Sequence, residues 1–319
     1  MPLTTSPSHA TKGFLLATIA AAGFSAKAIF VKLAYQAGAI DAITLLTLRM
    51  LFSLPVFAWI ALTLARKPDA IRLNRQEWLM VAGLGCLGYY LSSLFDFMGL
   101  AYLSAGMERL ILFLYPTLTM LMSAVILKHA ISRVHVAALA ISYGGIILAF
   151  LDQLPHHGSK LWLGTGLVFV SALTYSAYLI GASHAISRIG SQRFTALSMV
   201  SASGFVILQF ALTRPATVLA QPAGVYAATA GMAVFSTILP MFALSAAIRL
   251  IQPGKTALIG SLGPVATIFM AWAILGETIT WPQIAGSGMV LYGVWLIGHP
   301  QSARQSMAWL NRLRGRLGA

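Results

Sequence analysis

The chain has 319 residues, 58% of them hydrophobic and 9% charged, with a mean hydropathy of +0.82. A soluble domain carries about 25% charged residues, so a soluble fold is excluded and an all-α, polytopic membrane protein is expected. The formal charge of +14 is scattered between apolar stretches, which fits positive inner loops and argues against a nucleic-acid partner. The one cysteine, Cys86, lies in an apolar stretch, so neither a disulfide framework nor a thiolate metal site is expected.

Met1–Thr11 is polar, and the apolar run after it is long enough to stay as an anchor. Ten stretches of roughly 20 apolar residues, the length that crosses a bilayer, follow in order. They are residues 13–35, 42–65, 77–100, 104–127, 134–151, 162–185, 194–213, 222–247, 254–275 and 280–298. With the N-terminus inside, fifteen Lys and Arg residues fall on the inner side and three, Lys32, Lys160 and Arg214, on the outer side. That bias predicts cytoplasmic termini. Lys27, Arg49 and Arg109 remain within helices.

Gly106–Pro116 (GMERLILFLYP) aligns without a gap to Gly254–Pro264 (GKTALIGSLGP), 148 positions later. The Gly106/Gly254 and Pro116/Pro264 pairs carry more weight than the shared Leu and Ile. At a shift of 151, Gly13/Gly164, Ser25/Ser176 and Ala26/Ala177 extend the match to the first helix. The expected units are residues 1–151, residues 162–298 and a basic cytoplasmic tail, 299–319. Five helices is an odd number, so the second unit is expected to cross the membrane inverted, a plan that recurs in secondary transporters. The tail reads as a basic amphipathic segment on anionic lipid or as a disordered one.

Two five-helix halves, Tyr115-Pro116 in the fourth helix, its glycine–proline echo in the ninth and Leu275-Gly276-Glu277 together resemble the EamA-type branch of the drug/metabolite transporter superfamily. The first half departs from the pattern, with Leu127-Lys128-His129 where the second has Leu275-Gly276-Glu277. The resemblance implies an inner-membrane carrier, often an exporter of amino acids or other metabolites. A non-transporting scaffold or receptor with the same duplicated fold is the alternative.

Ionisable groups at membrane depth cost about 2.5–3.5 kcal/mol and usually face a protein interior or wet cavity. Glu108 shares a helix face with Leu112, Tyr115 and Thr119, and the matching face of the ninth helix carries Thr256, Gly260, Gly263 and Thr267. Both are expected to wall a cavity, with hydration of Glu108 at the outer interface as the alternative. Arg109 is expected to snorkel outward. Tyr89, Ser92, Ser93 and Asp96 form a polar face on the third helix, and Asp96 either pairs with Arg109 or lines an entrance. Lys27, aligned with Tyr178, meets a solute carboxylate or neutralises Glu108 or Asp96. Arg49 reads as structural. Pro116 and Pro264 are expected to kink their helices and act as paired hinges or as static shape determinants. Glycines 83, 85, 88, 286 and 288 are expected at close helix contacts.

No H-E-x-x-H or Walker motif occurs, and Ser201–Gly204 has no histidine base at membrane depth, so no enzyme is expected. No cofactor or metal is expected. The expected partners are a small-molecule solute and membrane lipids, with a homodimer left open.

Overall fold

The computed structural model describes residues 7–68, 71–126, 133–157, 160–260 and 262–298. Among them every regular element is helical. α1 (Pro7–Ala37), α2 (Ala42–Ala65) and α3 (Arg75–Gly85) come first; α3 runs through a π-helical segment, Cys86–Leu91, into α4 (Ser92–Leu100). α5 (Ala105–Leu112) and α6 (Tyr115–Ile126) make one broken apolar stretch, followed by α7 (Arg133–His157), α8 (Lys160–Ile189) and α9 (Ser191–Thr213). α10 (Ala223–Ala233) passes through a second π segment, Val234–Ile238, into α11 (Leu239–Gly260). α12 (Gly263–Met270), a third π segment (Ala271–Leu275) and α13 (Trp281–Gly298) complete the chain.

Seven helical stretches are long and apolar enough to cross a membrane, and Val136–Leu151 and Gly263–Leu275 are shorter apolar helices. Large apolar side chains such as Trp59, Leu212 and Trp281 point outward, as a lipid-facing surface requires. The expected gap between the eighth and ninth helices is helical in the structure, because α11 continues to Gly260. Yet Ile251 lies against Gly13 and Gly263 against Ser25. A straight helix rises about 1.5 Å per residue and would carry Gly263 past the start of α1, so the chain reverses direction along α1 between these two points.

Several backbone irregularities recur 148 positions apart. The first π segment begins at Cys86 and the second at Val234. Leu114 N–H donates to Ile111 O at 3.0 Å and Leu118 N–H to Leu114 O at 3.0 Å; Leu262 N–H to Ile259 O at 3.1 Å and Ala266 N–H to Leu262 O at 3.0 Å repeat the pattern. The prolines therefore do not kink continuous helices. Pro116 and Pro264 lie in the first turn of α6 and α12, just after a break, where a missing N–H costs no hydrogen bond.

Glycine packing follows the expectation in part. Gly145 and Gly286 meet backbone to backbone between α7 and α13, Gly85 lies on Ser198 O, and Gly88 faces the Tyr178 ring. Gly83 and Gly288 have open space where a Cβ would stand. The tail 299–319 and Lys128-His129 lie outside the described residues.

Candidate functional site: a buried charge cluster between the halves

α1 carries Lys27 against α4, where its Nζ lies 2.6 Å from Asp96 Oδ2. Asp96 and Glu108 are both 0% exposed. Glu108 arrives from the first turn of α5, whose start is fixed by Ser104: its hydroxyl accepts the Met107 N–H at 3.2 Å. The Glu108 and Asp96 carboxyl groups are close enough for each to feel the other's charge. Two carboxyl groups this close must share a proton or be held by neighbouring cations, here Lys27 and Arg109. Asp96 thus pairs with Lys27 and not with Arg109, and Glu108 is buried in protein instead of hydrated at the interface.

Arg109 faces inward, beside Gly263 of α12 and close enough to Tyr115 and Tyr175 for its charge to act on both. Outward snorkelling fails because the start of α5 is covered by protein. The Gln283 side chain lies on Gly106, and the Glu277 carboxylate accepts Ala105 N–H at 2.8 Å and Gly106 N–H at 3.4 Å. Glu277 therefore caps a helix of the other half, satisfying donors that a helix start leaves unpaired. Lys32 stands near enough to Glu277 and Glu108 to feel both charges. The Leu275-Gly276-Glu277 ending was the available signal for this cap, with Gly276 in the left-handed region at φ 69°.

Two bonds tie the cluster to the second half. Ser25 Oγ donates to Gly263 O at 3.0 Å, and Thr267 Oγ1 donates to Ser25 O at 3.1 Å. Arg49 adds a third link: its Nε donates to Thr237 Oγ1 at 3.2 Å and its Nη1 to Ser93 Oγ at 3.1 Å, with the guanidinium 5.7 Å from the Phe97 ring centroid. No carboxylate lies within ion-pair distance of Arg49 among the described residues.

An aromatic wall borders these charges. Tyr89 and Tyr178 hydroxyls are 2.9 Å apart, Tyr175 stacks on Tyr178, and Tyr115 meets Tyr175 edge-on at 5.2 Å. Gly88 makes room for Tyr178. Ser92 and Ser171 hydroxyls lie 3.1 Å apart.

Thr119 and Gly260, two of the expected wall positions, show no bond or close contact to the charge cluster among the described residues. The Thr119 hydroxyl is spent on Tyr115 O of its own helix, at 2.7 Å. The break after Leu112 interrupts the face on which Thr119 was counted with Glu108. Thr256 is buried, whereas Gly260 is exposed with open space around it.

At the head of α2, Asp41 Oδ1 accepts the Ile43 and Thr44 N–H groups at 2.9 and 3.2 Å, and Arg214 Nε approaches Oδ2 at 3.2 Å. Burial pushes this carboxyl up, but the bonds from Thr44 and Arg214 outweigh it and hold Asp41 below the usual carboxylate range.

A helical chain with lipid-length apolar stretches and a buried charge cluster defines a multi-pass membrane protein with a polar interior. The model of the EamA-like transporter family matches it twice, over residues 11–151 and 162–298. The chain belongs to that family and is a membrane transporter. It is 28% identical to Uncharacterized transporter YcbK of Bacillus subtilis over 288 residues, 89% of this chain and 92% of that one. Uncharacterized transporter YyaM of the same organism is 25% identical, covering 72% and 74% of the two chains. Uncharacterized transporter sll1319 of Synechocystis is 22% identical, with 82% of each covered. A solved crystal structure matches at a TM-score of 0.61 and 16% identity, covering 90% of this chain and 96% of that chain; this is a likeness of fold.

Proposed function

We propose that the protein is a secondary transporter of small organic solutes, an exporter of amino acids or related metabolites, working by alternating access. In this reading residues 1–151 and 162–298 are inverted five-helix repeats, ten crossings in all. They stand in the cell inner membrane with both termini cytoplasmic. The observation that carries the reading is the Lys27–Asp96–Glu108 cluster, buried where α1, α4 and α5 meet α12. Charged groups are costly at membrane depth and concentrate on solute and ion pathways, and in inverted-repeat carriers those pathways run between the halves.

Within the site, Lys27 and Arg109 attract a solute carboxylate, Glu108 and Asp96 take its ammonium or a proton, and the tyrosines cover its apolar body. The breaks before Pro116 and Pro264 serve as paired hinges. Glu277, bonded to the start of α5, holds the outer end shut. Lipid surrounds the helices, and no cofactor takes part.

The test is a thermal-shift screen of the purified protein against amino acids, nucleobases and small organic acids, followed by flux of each hit in proteoliposomes. Saturable flux that is lost on Asp96→Asn supports the reading. Stabilisation without flux makes the protein a receptor. Reporter fusions at Thr11 and Ser302 that are active only in the periplasm should be silent.

A further inference from the structure

Away from the charge cluster, at the end where α2 finishes and α9 begins, a cavity of about 470 Å³ opens between α2, α9 and α11. Its polar lining among the described residues is Lys67, Ser191, Gln192, Arg193, Ser245 and Arg249, with no carboxylate among them. The one acid of α3, Glu77, is already engaged: it pairs with Arg188 and accepts the Asn74 N–H at 2.8 Å. Arg193 donates from Nη1 to Ile71 O at 2.7 Å, but its Nε is buried without an acceptor. Lys67 and Arg249 are exposed and make no hydrogen bond or ion pair among the described residues.

The backbone adds donors at the same place. α9 follows α8 through Gly190 alone, at φ 85° and ψ 142°, a conformation that favours glycine. Gly190 has no side chain to cap α9, so the N–H groups of Ser191, Gln192 and Arg193 lack intrahelical acceptors. These three residues line the cavity, at the positive end of a 23-residue helix. Positive inner loops account for Lys and Arg on this side of a membrane. They do not account for three cations and a helix start converging on one concave space.

We infer that this cavity is an oxyanion-binding site that takes a phosphate-type group between Arg193, Arg249, Lys67 and the first turn of α9. Guanidinium groups and helix starts are the donors that suit such a group, and the volume lies in the range of small-molecule sites. A soluble phosphate ester and the headgroup of an anionic lipid share this chemistry.

The full chain in detergent is titrated with inorganic phosphate at constant ionic strength, chloride serving as the control, and its melting temperature is followed. In parallel, nanodiscs of phosphatidylcholine with and without phosphatidylglycerol are compared. The expected result is saturable stabilisation by phosphate, with the apparent Kd weakened at least about tenfold by Arg249→Gln, as loss of one charge-assisted bond implies. If phosphatidylglycerol gives the same gain and abolishes the phosphate response, the occupant is a lipid headgroup. If phosphate stabilises equally in both nanodiscs, it is a soluble anion. Lys67→Gln repeats the measurement away from the Arg193–Ile71 contact. No saturable response to phosphate or phosphatidylglycerol, or a response in both variants unchanged from wild type, overturns the site.

Discussion

The two halves share their backbone irregularities and differ in their ionisable side chains. The π segments starting at Cys86 and Val234 and the breaks before Pro116 and Pro264 fall at matching positions. Against this, Glu108 aligns with Thr256, Asp96 with Leu244, Lys27 with Tyr178 and Glu277 with His129. Duplication has kept the frame and not the chemistry. The first half supplies the buried charges, and the second covers them with hydroxyl and carbonyl groups from α12 and a single carboxylate at the start of α5. In the proposed alternating-access mechanism, the two matching breaks are where such a frame bends around one unsymmetrical polar centre.

The comparison is tested most severely at Asp96. Asp96→Asn leaves Lys27 buried without its counter-charge, a loss of about 3–5 kcal/mol, and should abolish flux. Lys27→Met combined with Asp96→Leu should recover most of the melting temperature and none of the transport. Recovery of both would make the pair a brace outside the pathway.

Glu277→Gln comes next. It weakens charge-assisted bonds worth about 1.5–3 kcal/mol and should loosen the outer end. In a Cys86→Ser background, a cysteine substituted at Ser104 should then react faster with a membrane-impermeant thiol reagent. An unchanged rate would show that the cap does not hold that end shut. Glu108→Gln should lower flux at least about tenfold, roughly 1.4 kcal/mol at the transition state, with the melting temperature kept. Normal flux in that folded variant would remove Glu108 from the pathway.

Asp41 has the smallest expected effect, because its side chain is 41% exposed and solvent screens it. Its folded pKa lies below the unfolded value of about 3.9. Its contribution is therefore present above pH 4 and lost as pH falls through the folded pKa. The melting-temperature difference between wild type and Asp41→Asn should be constant from about pH 7 to 5 and shrink below about pH 4.

Helix positions and the 148-residue echo were legible because lipid forces long apolar runs and because glycine and proline mark backbone geometry. Partners were not. Asp96 and Lys27 are separated by 69 positions, and no local pattern favours that pairing over Asp96 with Arg109. Arg109 was expected to reach headgroups because a lone helix end near the membrane surface has no other recourse. Only the tertiary placement of Gln283 and Glu277 over α5 removes that option. Both proline breaks look like kinks in sequence, since the turn at Phe113–Leu114 is as apolar as the helices it joins. The cavity at the start of α9 draws on three separate stretches, none unusual by itself.

The π segment at Cys86–Leu91 also bears on how this chain tolerates changes of length. A π turn holds an additional residue within a helix, and each residue of an α-helix turns the chain by about 100°. Removing one residue from 86–91 would let that turn close into ordinary α-helix, with Ser92, Ser93 and Asp96 still directed at Ser171, Arg49 and Lys27. A deletion in the α-helical turns just before the segment has no such slack: it would rotate everything after it by about 100° and swing those side chains away, in a helix just as apolar and just as able to cross a membrane. The same count holds at Val234–Ile238, where Thr237 meets Arg49.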